Sequence, residues 1–136
     1  MNINLKLSSG CKFEATNPLG NKAIIEGPPD MGGKNEGVRP MEMILMGLAS
    51  CSSLDVLHIL HKGKSEVTNL EVDVKAERAN AIPAVFTNIH LHFKAKGDFS
   101  AEKLERAINL SMEKYCSVTK MLESTVNITT SFEIVT

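Results

Sequence analysis

Strict alternation of apolar and polar residues is clearest in the middle of the chain. Leu70, Val72, Val74 and Ala76 alternate with Glu71, Asp73, Lys75 and Glu77; Val85, Ile89, Leu91, Phe93 and Ala95 alternate with Asn88, His90, His92, Lys94 and Lys96. A period of two turns one face of each segment to a core and the other to water, so both are predicted as half-buried strands. The short Asn80-Ala81-Ile82-Pro83 link makes them an antiparallel pair. Residues 1–26 read as shorter strands. Ile3, Leu5 and Leu7 alternate before Ser8-Ser9-Gly10, Cys11 to Ala15 return, and Ala23-Ile24-Ile25 follow the turn signal Asn17-Pro18-Leu19-Gly20-Asn21. Residues 27–38 form a loop, since four of the eleven residues from Gly27 to Gly37 are glycine and two are proline.

Between Met41 and Lys62 the period becomes helical, with Pro40 suited to the first turn and Gly63 to the end. Met41, Ile44, Leu45, Leu48, Ala49, Val56, Leu57, Ile59 and Leu60 surround most of the circumference of this central helix, residues 40–62. A helix apolar nearly all round needs cover on several sides. One small domain has difficulty surrounding some 22 residues, about 33 Å of helix, so a second subunit is expected to cover part of it. Beyond Gly97-Asp98, Ser100 can cap a helix carrying Leu104, Ala107, Ile108, Met112 and Tyr115 on one side. A second short helix carries Val118, Met121 and Leu122, and a last strand carries Val126, Ile128, Phe132 and Ile134. Residues 67–136 thus run β-β-α-α-β. Clustered strands and segregated helices predict one α+β domain over residues 1–136 with mostly antiparallel sheet, and no GxGxxG or phosphate loop interrupts that pattern.

Composition narrows the partners. A net charge of −1 supplies no field for nucleic acid or an anionic membrane, and five Phe, one Tyr and no Trp make a poor base-stacking platform. The start shows no signal-peptide h-region. The most apolar run, the nine residues Met43 to Cys51, falls short of the roughly 20 that span a bilayer. Three widely spaced cysteines, Cys11, Cys51 and Cys116, suit a reducing cytoplasm and not a disulfide framework.

Two of those cysteines have suggestive settings. Cys51 lies mid-helix in Gly47-Leu48-Ala49-Ser50-Cys51-Ser52-Ser53-Leu54-Asp55-Val56, where a free cysteine commonly packs as a small hydrophobe; three serines are unusual cargo for so apolar a helix. Cys116 precedes Ser117-Val118-Thr119-Lys120; a helix beginning near Ser117 would place it at a positive terminus that favours a thiolate, whereas the bland reading has it filling the corner between helices. Cys11 reads as structural. Cys51, Asp55 and His58 share a helix face, yet seven residues rise about 10.5 Å, too far for His58 to deprotonate Cys51 directly. An ionised Asp55 would oppose a thiolate there. The pairs His90/His92 and His58/His61 lack the companions of a metal motif and read as solvent-side polar residues, and the methionines read as core filler.

Arg39-Pro40-Met41-Glu42-Met43-Ile44-Leu45-Met46-Gly47-Leu48-Ala49-Ser50-Cys51-Ser52-Ser53-Leu54-Asp55-Val56 resembles the first cysteine motif of the OsmC/Ohr family, and Glu113-Lys114-Tyr115-Cys116-Ser117-Val118 resembles the second. The resemblance continues through Glu77-Arg78, Phe86-Thr87-Asn88-Ile89-His90-Leu91-His92-Phe93 and Val126-Asn127-Ile128-Thr129, and is greater to the YhfA-like branch than to the peroxidase branches. It implies an intertwined OsmC-like homodimer with central cysteine-bearing helices. It also implies reduction of organic hydroperoxides, in which Cys51 becomes a sulfenic acid, Cys116 resolves it as a disulfide, and an external dithiol reductant restores both, without metal or organic cofactor. The peroxidase branches add an arginine from the N-terminal strands and a glutamate directly after the helix-opening proline. Here residues 1–38 contain no arginine, Met41 follows Pro40, and Glu42 comes one later, about two and a half turns from Cys51 on the opposite side of the helix. Arg39, beside the helix start, and Arg78 are the candidates for the missing cation. Two other functions fit the same fold: binding of a small apolar or acyl ligand by redox-passive cysteines, and redox sensing through a disulfide that alters the dimer.

Overall fold

A computed structural model describes residues 1–136, an α+β protein with two sheets and one long helix. The chain divides into two compact units, Met1–Met46 and Gly47–Thr136, the boundary falling inside that helix. In the first unit, strands β1 (Asn4–Ser9), β2 (Lys12–Thr16) and β3 (Lys22–Glu26) form an antiparallel meander in which Leu7 opposes Phe13 and Phe13 opposes Ile25. The loop after β3 is folded back by Glu26. Its buried carboxylate accepts hydrogen bonds from the backbone N–H groups of Lys34 (2.8 Å), Glu36 (2.7 Å) and Gly37 (3.1 Å). Those donors, Lys34 first, hold the Glu26 carboxyl below the usual glutamate range. A single 3-10 turn, Pro29–Met31, lies within the loop, and Val38 rejoins the sheet beside Ile25. Gly33 is required here because a Cβ would collide with the Gly27 carbonyl.

Helix α1 (Pro40–Lys62) starts as the sequence predicts. Pro40 occupies its first position, and Glu42 reaches back so that its Oε1 accepts from the Arg39 N–H at 2.8 Å, half of a capping box. In the second unit, β4 (Glu66–Arg78) and β5 (Phe86–Asp98) form the expected antiparallel hairpin, pairing Val72 with Phe93 and Val74 with Leu91. Strand β6 (Asn127–Ile134) pairs with the other edge of β5 but runs parallel to it, Ile128 beside Ile89 and Phe132 beside Phe93. Helices α2 (Ala101–Leu110) and α3 (Ser117–Leu122) carry the chain back between these strands, the crossover that parallel pairing needs. The sheet's inner residues Ile89, Leu91, Phe93 and Ala95 are buried, as are Leu48, Val56 and Leu60 of α1 and Leu104, Ala107 and Ile108 of α2.

Two departures from the periodicity affect the site. The helix predicted to run on through Tyr115 ends its α geometry at Leu110 and continues as a π turn, Ser111–Tyr115, closed by the Cys116 N–H donating to the Ser111 carbonyl at 2.8 Å. The wider turn puts Ser111 in the interior and leaves Tyr115 exposed. Only one stripe of α1 is buried, Leu48, Ser52, Val56 and Leu60, and the uninterrupted apolar run understates the helix: by length and composition alone its 23 residues would reach across a bilayer. A buried stripe of this kind equally marks the core helix of a globular domain.

Candidate thiol-carboxylate site

Cys51 and Asp55 lie one turn apart on the same face of α1, at the i, i+4 spacing that makes helical neighbours. Cys116 follows the π turn and occupies the N-cap position of α3, where its Sγ accepts the Thr119 N–H at 3.4 Å in place of the usual cap oxygen. The two sulfurs and an Asp55 carboxylate oxygen all lie within 4.8 Å of one another. Ser111, turned inward by the π turn, donates its hydroxyl to Asp55 Oδ2 at 2.9 Å, with a longer approach of 3.4 Å to the Ser52 carbonyl. Ser52 itself is fully buried and returns its hydroxyl to the Leu48 and Ala49 carbonyls (2.9 and 3.1 Å), which reconciles a serine with the apolar side of the helix.

The sulfurs differ in setting. Cys51 is half-buried and Cys116 has no exposed surface. Burial pushes the Cys116 thiol above the usual cysteine range; the Thr119 donor pulls it down by less, and the neighbouring Cys51 adds to the rise. The helix N-terminus expected to favour a thiolate is present, and desolvation outweighs it.

Of the four residues the sequence singled out for chemistry, the structure brings together Cys51 with Cys116, and Arg39 with Glu42. Glu42 caps its own helix, while the Arg39 guanidinium bonds the first unit's loop through Asn35 Oδ1 (2.7 Å) and approaches the carbonyls of Gly37 and Glu26 (3.4 and 3.5 Å). Arg78 closes the β4–β5 hairpin by donating to the Ala84 carbonyl at 2.8 Å. Ser111 is the member that sequence reasoning missed, and Asp55 the one it set against the Cys51 thiolate and did not pair with Cys116. The i, i+4 relation to Cys51 was visible, but its use lay with Cys116, some sixty residues away, and not with His58. His58 instead lines a cavity of about 420 Å³ with Asp55, Ile59, Lys62, Arg106 and Tyr115. Asp55 therefore belongs to both the thiol cluster and this cavity, whose wall includes none of the methionines.

His90 and His92 project from the outer face of β5 into a ladder of hydrogen bonds with β6. His90 meets Thr129 and Ser131, and His92 meets Ser131, each at 2.7 Å, while His92 also reaches Glu133 at 3.2 Å. These bonds occupy both ring nitrogens of each histidine, which accounts for the pair without a metal.

Two three-stranded sheets and one long helix, with a cysteine in that helix and another at the start of a short one, define the class. The chain belongs to the OsmC-like protein family, whose profile matches residues 33–131. Protein YhfA of Escherichia coli K12 is 40% identical to it over 136 residues, spanning 99% of this chain and 98% of YhfA. The crystal structure of a hypothetical protein from Aquifex aeolicus VF5 superposes with a TM-score of 0.87 at 32% identity, over 98% of this chain and 95% of that one. The organic hydroperoxide resistance protein OhrB of Bacillus subtilis shares the fold, with a TM-score of 0.65 at 18% identity over 98% of each chain.

Proposed function

We propose that this protein is a thiol-dependent reductase of organic hydroperoxides, with Cys51 as the attacking sulfur and Cys116 as the resolving one. The observation that carries the reading is the clustering of both sulfurs within 4.8 Å, one reachable from solvent and the other enclosed. The Cys51 thiolate attacks the peroxide O–O bond, taking one oxygen as a sulfenic acid and releasing the alcohol after protonation. The Cys116 sulfur then displaces the sulfenic hydroxyl, giving a disulfide and water. A disulfide needs a sulfur separation of about 2.05 Å, so the two must still approach by side-chain rotation or a small backbone shift. Asp55 is placed to take the Cys116 proton as that bond forms and pass it to the departing hydroxyl. An external dithiol returns both thiols. The cavity ending at Asp55 is the substrate's approach: Ile59, Leu110 and Tyr115 offer it an apolar wall. Arg39 and Glu42 enter the proposal as supports for the start of the cysteine-bearing helix. The reading places this chemistry in the homodimer that the family resemblance implies and in a reducing cytoplasm that supplies the dithiol.

The test is stopped-flow mixing of the reduced protein with cumene hydroperoxide and, separately, hydrogen peroxide, followed by thiol counting. Two thiols per chain should disappear together with faster consumption of the organic peroxide, Cys51→Ser should abolish both effects, and Cys116→Ser should leave a sulfenic acid that dimedone traps. Arg39→Ala and Glu42→Gln should slow the first step. Survival of both thiols in a large peroxide excess would overturn the reading.

A further inference from the structure

The same three groups have a second chemistry that does not depend on peroxide. We propose that in the reduced protein Cys51, Asp55 and Cys116 form a binding site for a thiophilic divalent cation, zinc above all. Tetrahedral zinc bound at about 2.3 Å to sulfur and about 2.0–2.2 Å to carboxylate oxygen holds its donors roughly 3.5–3.8 Å apart. The three donor atoms already lie within 4.8 Å of one another, so the site closes by about an ångström of side-chain movement. Cys51 and Asp55 at i, i+4 approach from one helix face, the spacing by which a helix offers two ligands to one ion, and Cys116 approaches from the start of α3. Ser111 donating to Asp55 Oδ2 supplies the outer hydrogen bond that orients a ligating carboxylate and leaves the other oxygen available. Thr119 N–H does the same for the Cys116 sulfur. Cys51 and Asp55 keep some exposure, so a fourth position stays open to water.

Binding replaces two S–H protons by one cation: the thiols release two protons to solvent, and two thiolates plus one carboxylate leave the zinc complex with a single negative charge. Two sulfur ligands select zinc or cadmium over magnesium or calcium. No electrons move, but the cation and the Cys51–Cys116 disulfide exclude one another because they use the same sulfurs. Zinc would therefore protect the reduced pair from oxidation and be expelled when the disulfide forms.

The experiment is titration of the reduced, metal-free protein with zinc chloride in competition with a chromogenic chelator, repeated with cobalt chloride as an optical probe. One ion per chain is expected, with thiolate-to-cobalt charge-transfer bands and tetrahedral ligand-field absorption. Cys51→Ser and Cys116→Ser should each remove the bands, Asp55→Asn should weaken zinc by at least about tenfold, and oxidation to the disulfide should release the ion. Circular dichroism of each variant separates loss of ligand from loss of fold. Cobalt without thiolate bands, or zinc held equally by the Cys51→Ser/Cys116→Ser double variant, would overturn the proposal. Because no peroxide is present, either result leaves the peroxidase reading to its own test.

Discussion

Cys116 is buried at the cap of α3, and its thiol stays protonated past the pH at which an ordinary cysteine ionises, because desolvation outweighs the Thr119 hydrogen bond and Cys51 adds to the rise. That is a poor state for an attacking nucleophile and an acceptable one for a resolving thiol, which reacts only after Cys51 has been oxidised beside it. The sign of the shift has a kinetic consequence. Thiolate at Cys116 accumulates as pH rises toward the raised value, so condensation with the Cys51 sulfenic acid should accelerate through the alkaline range. Dimedone trapping after a single peroxide pulse should therefore find progressively less sulfenic acid as pH increases. In Cys116→Ser the trapped fraction should lose that dependence. A trapped fraction that grows with pH in the unsubstituted protein would assign the resolving step to another group. Asp55→Asn should slow condensation further at neutral pH, where a proton acceptor matters most.

Elements of this fold were legible where one period governs a long stretch. The β4–β5 hairpin and the 40–62 helix follow from alternation and from helical spacing between Pro40 and Gly63. Alternation carries no direction, which is why the parallel placement of β6 on β5 was invisible while its inward residues were not. The π turn was hidden because one extra residue between Leu110 and Cys116 leaves a helical-looking pattern. It nevertheless turns Ser111 inward and delivers Cys116 to the site. Thus the cysteine pair was legible through two local motifs, whereas the Ser111–Asp55 bond, spanning 56 residues, depends on tertiary packing. Glu26 was equally hidden: at the end of a short strand it reads as a solvent residue, yet it organises the following loop. Its carboxyl is depressed in the fold, so the stabilisation it supplies is present above the unfolded glutamate pKa and is lost as pH falls through the folded value. Protection factors of the Lys34, Glu36 and Gly37 amides, which correct for the slower intrinsic exchange in acid, should fall on acidification below the ordinary glutamate range. Glu26→Gln, which substitutes an NH₂ donor for one accepting oxygen, should produce that loosening at neutral pH. Unchanged protection of those three amides in the variant would show that other contacts hold the loop.

At the scale of the whole molecule the unresolved balance is apolar surface. Leu5 and Leu7 share one face of β1 and are 57% and 54% exposed, Ile3 just before the strand is 66% exposed, and β1 is also a sheet edge with only β2 beside it. On α1 the buried stripe leaves Ile44, Met46 and Leu54 outside, the last 66% exposed, and Met121 of α3 is 82% exposed. Single exposed leucines are ordinary, but we propose that the apolar face of the strand and the apolar side chains left outside on the long helix are each covered by another chain. A second copy is the occupant that the chain's own composition favours, since its net charge of −1 leaves little mutual repulsion to prevent self-association. Burying the exposed halves of Leu5 and Leu7 from both copies amounts to about two whole leucines at about 1.5–3 kcal/mol each, so replacing both by lysine should weaken association by about 3–6 kcal/mol, or at least about a hundredfold in dissociation constant. Sedimentation equilibrium at micromolar concentration should give twice the chain mass for the unsubstituted protein and a shift toward the single mass for Leu5→Lys/Leu7→Lys. If the unsubstituted chain sediments at its single mass at concentrations far above that, the helix and strand faces are exposed in solution and the dimer is wrong. If only the variant's fold is lost, as circular dichroism would show, Leu54→Lys on the helix serves as the independent probe. It should weaken the dimer while leaving the β1 sheet untouched.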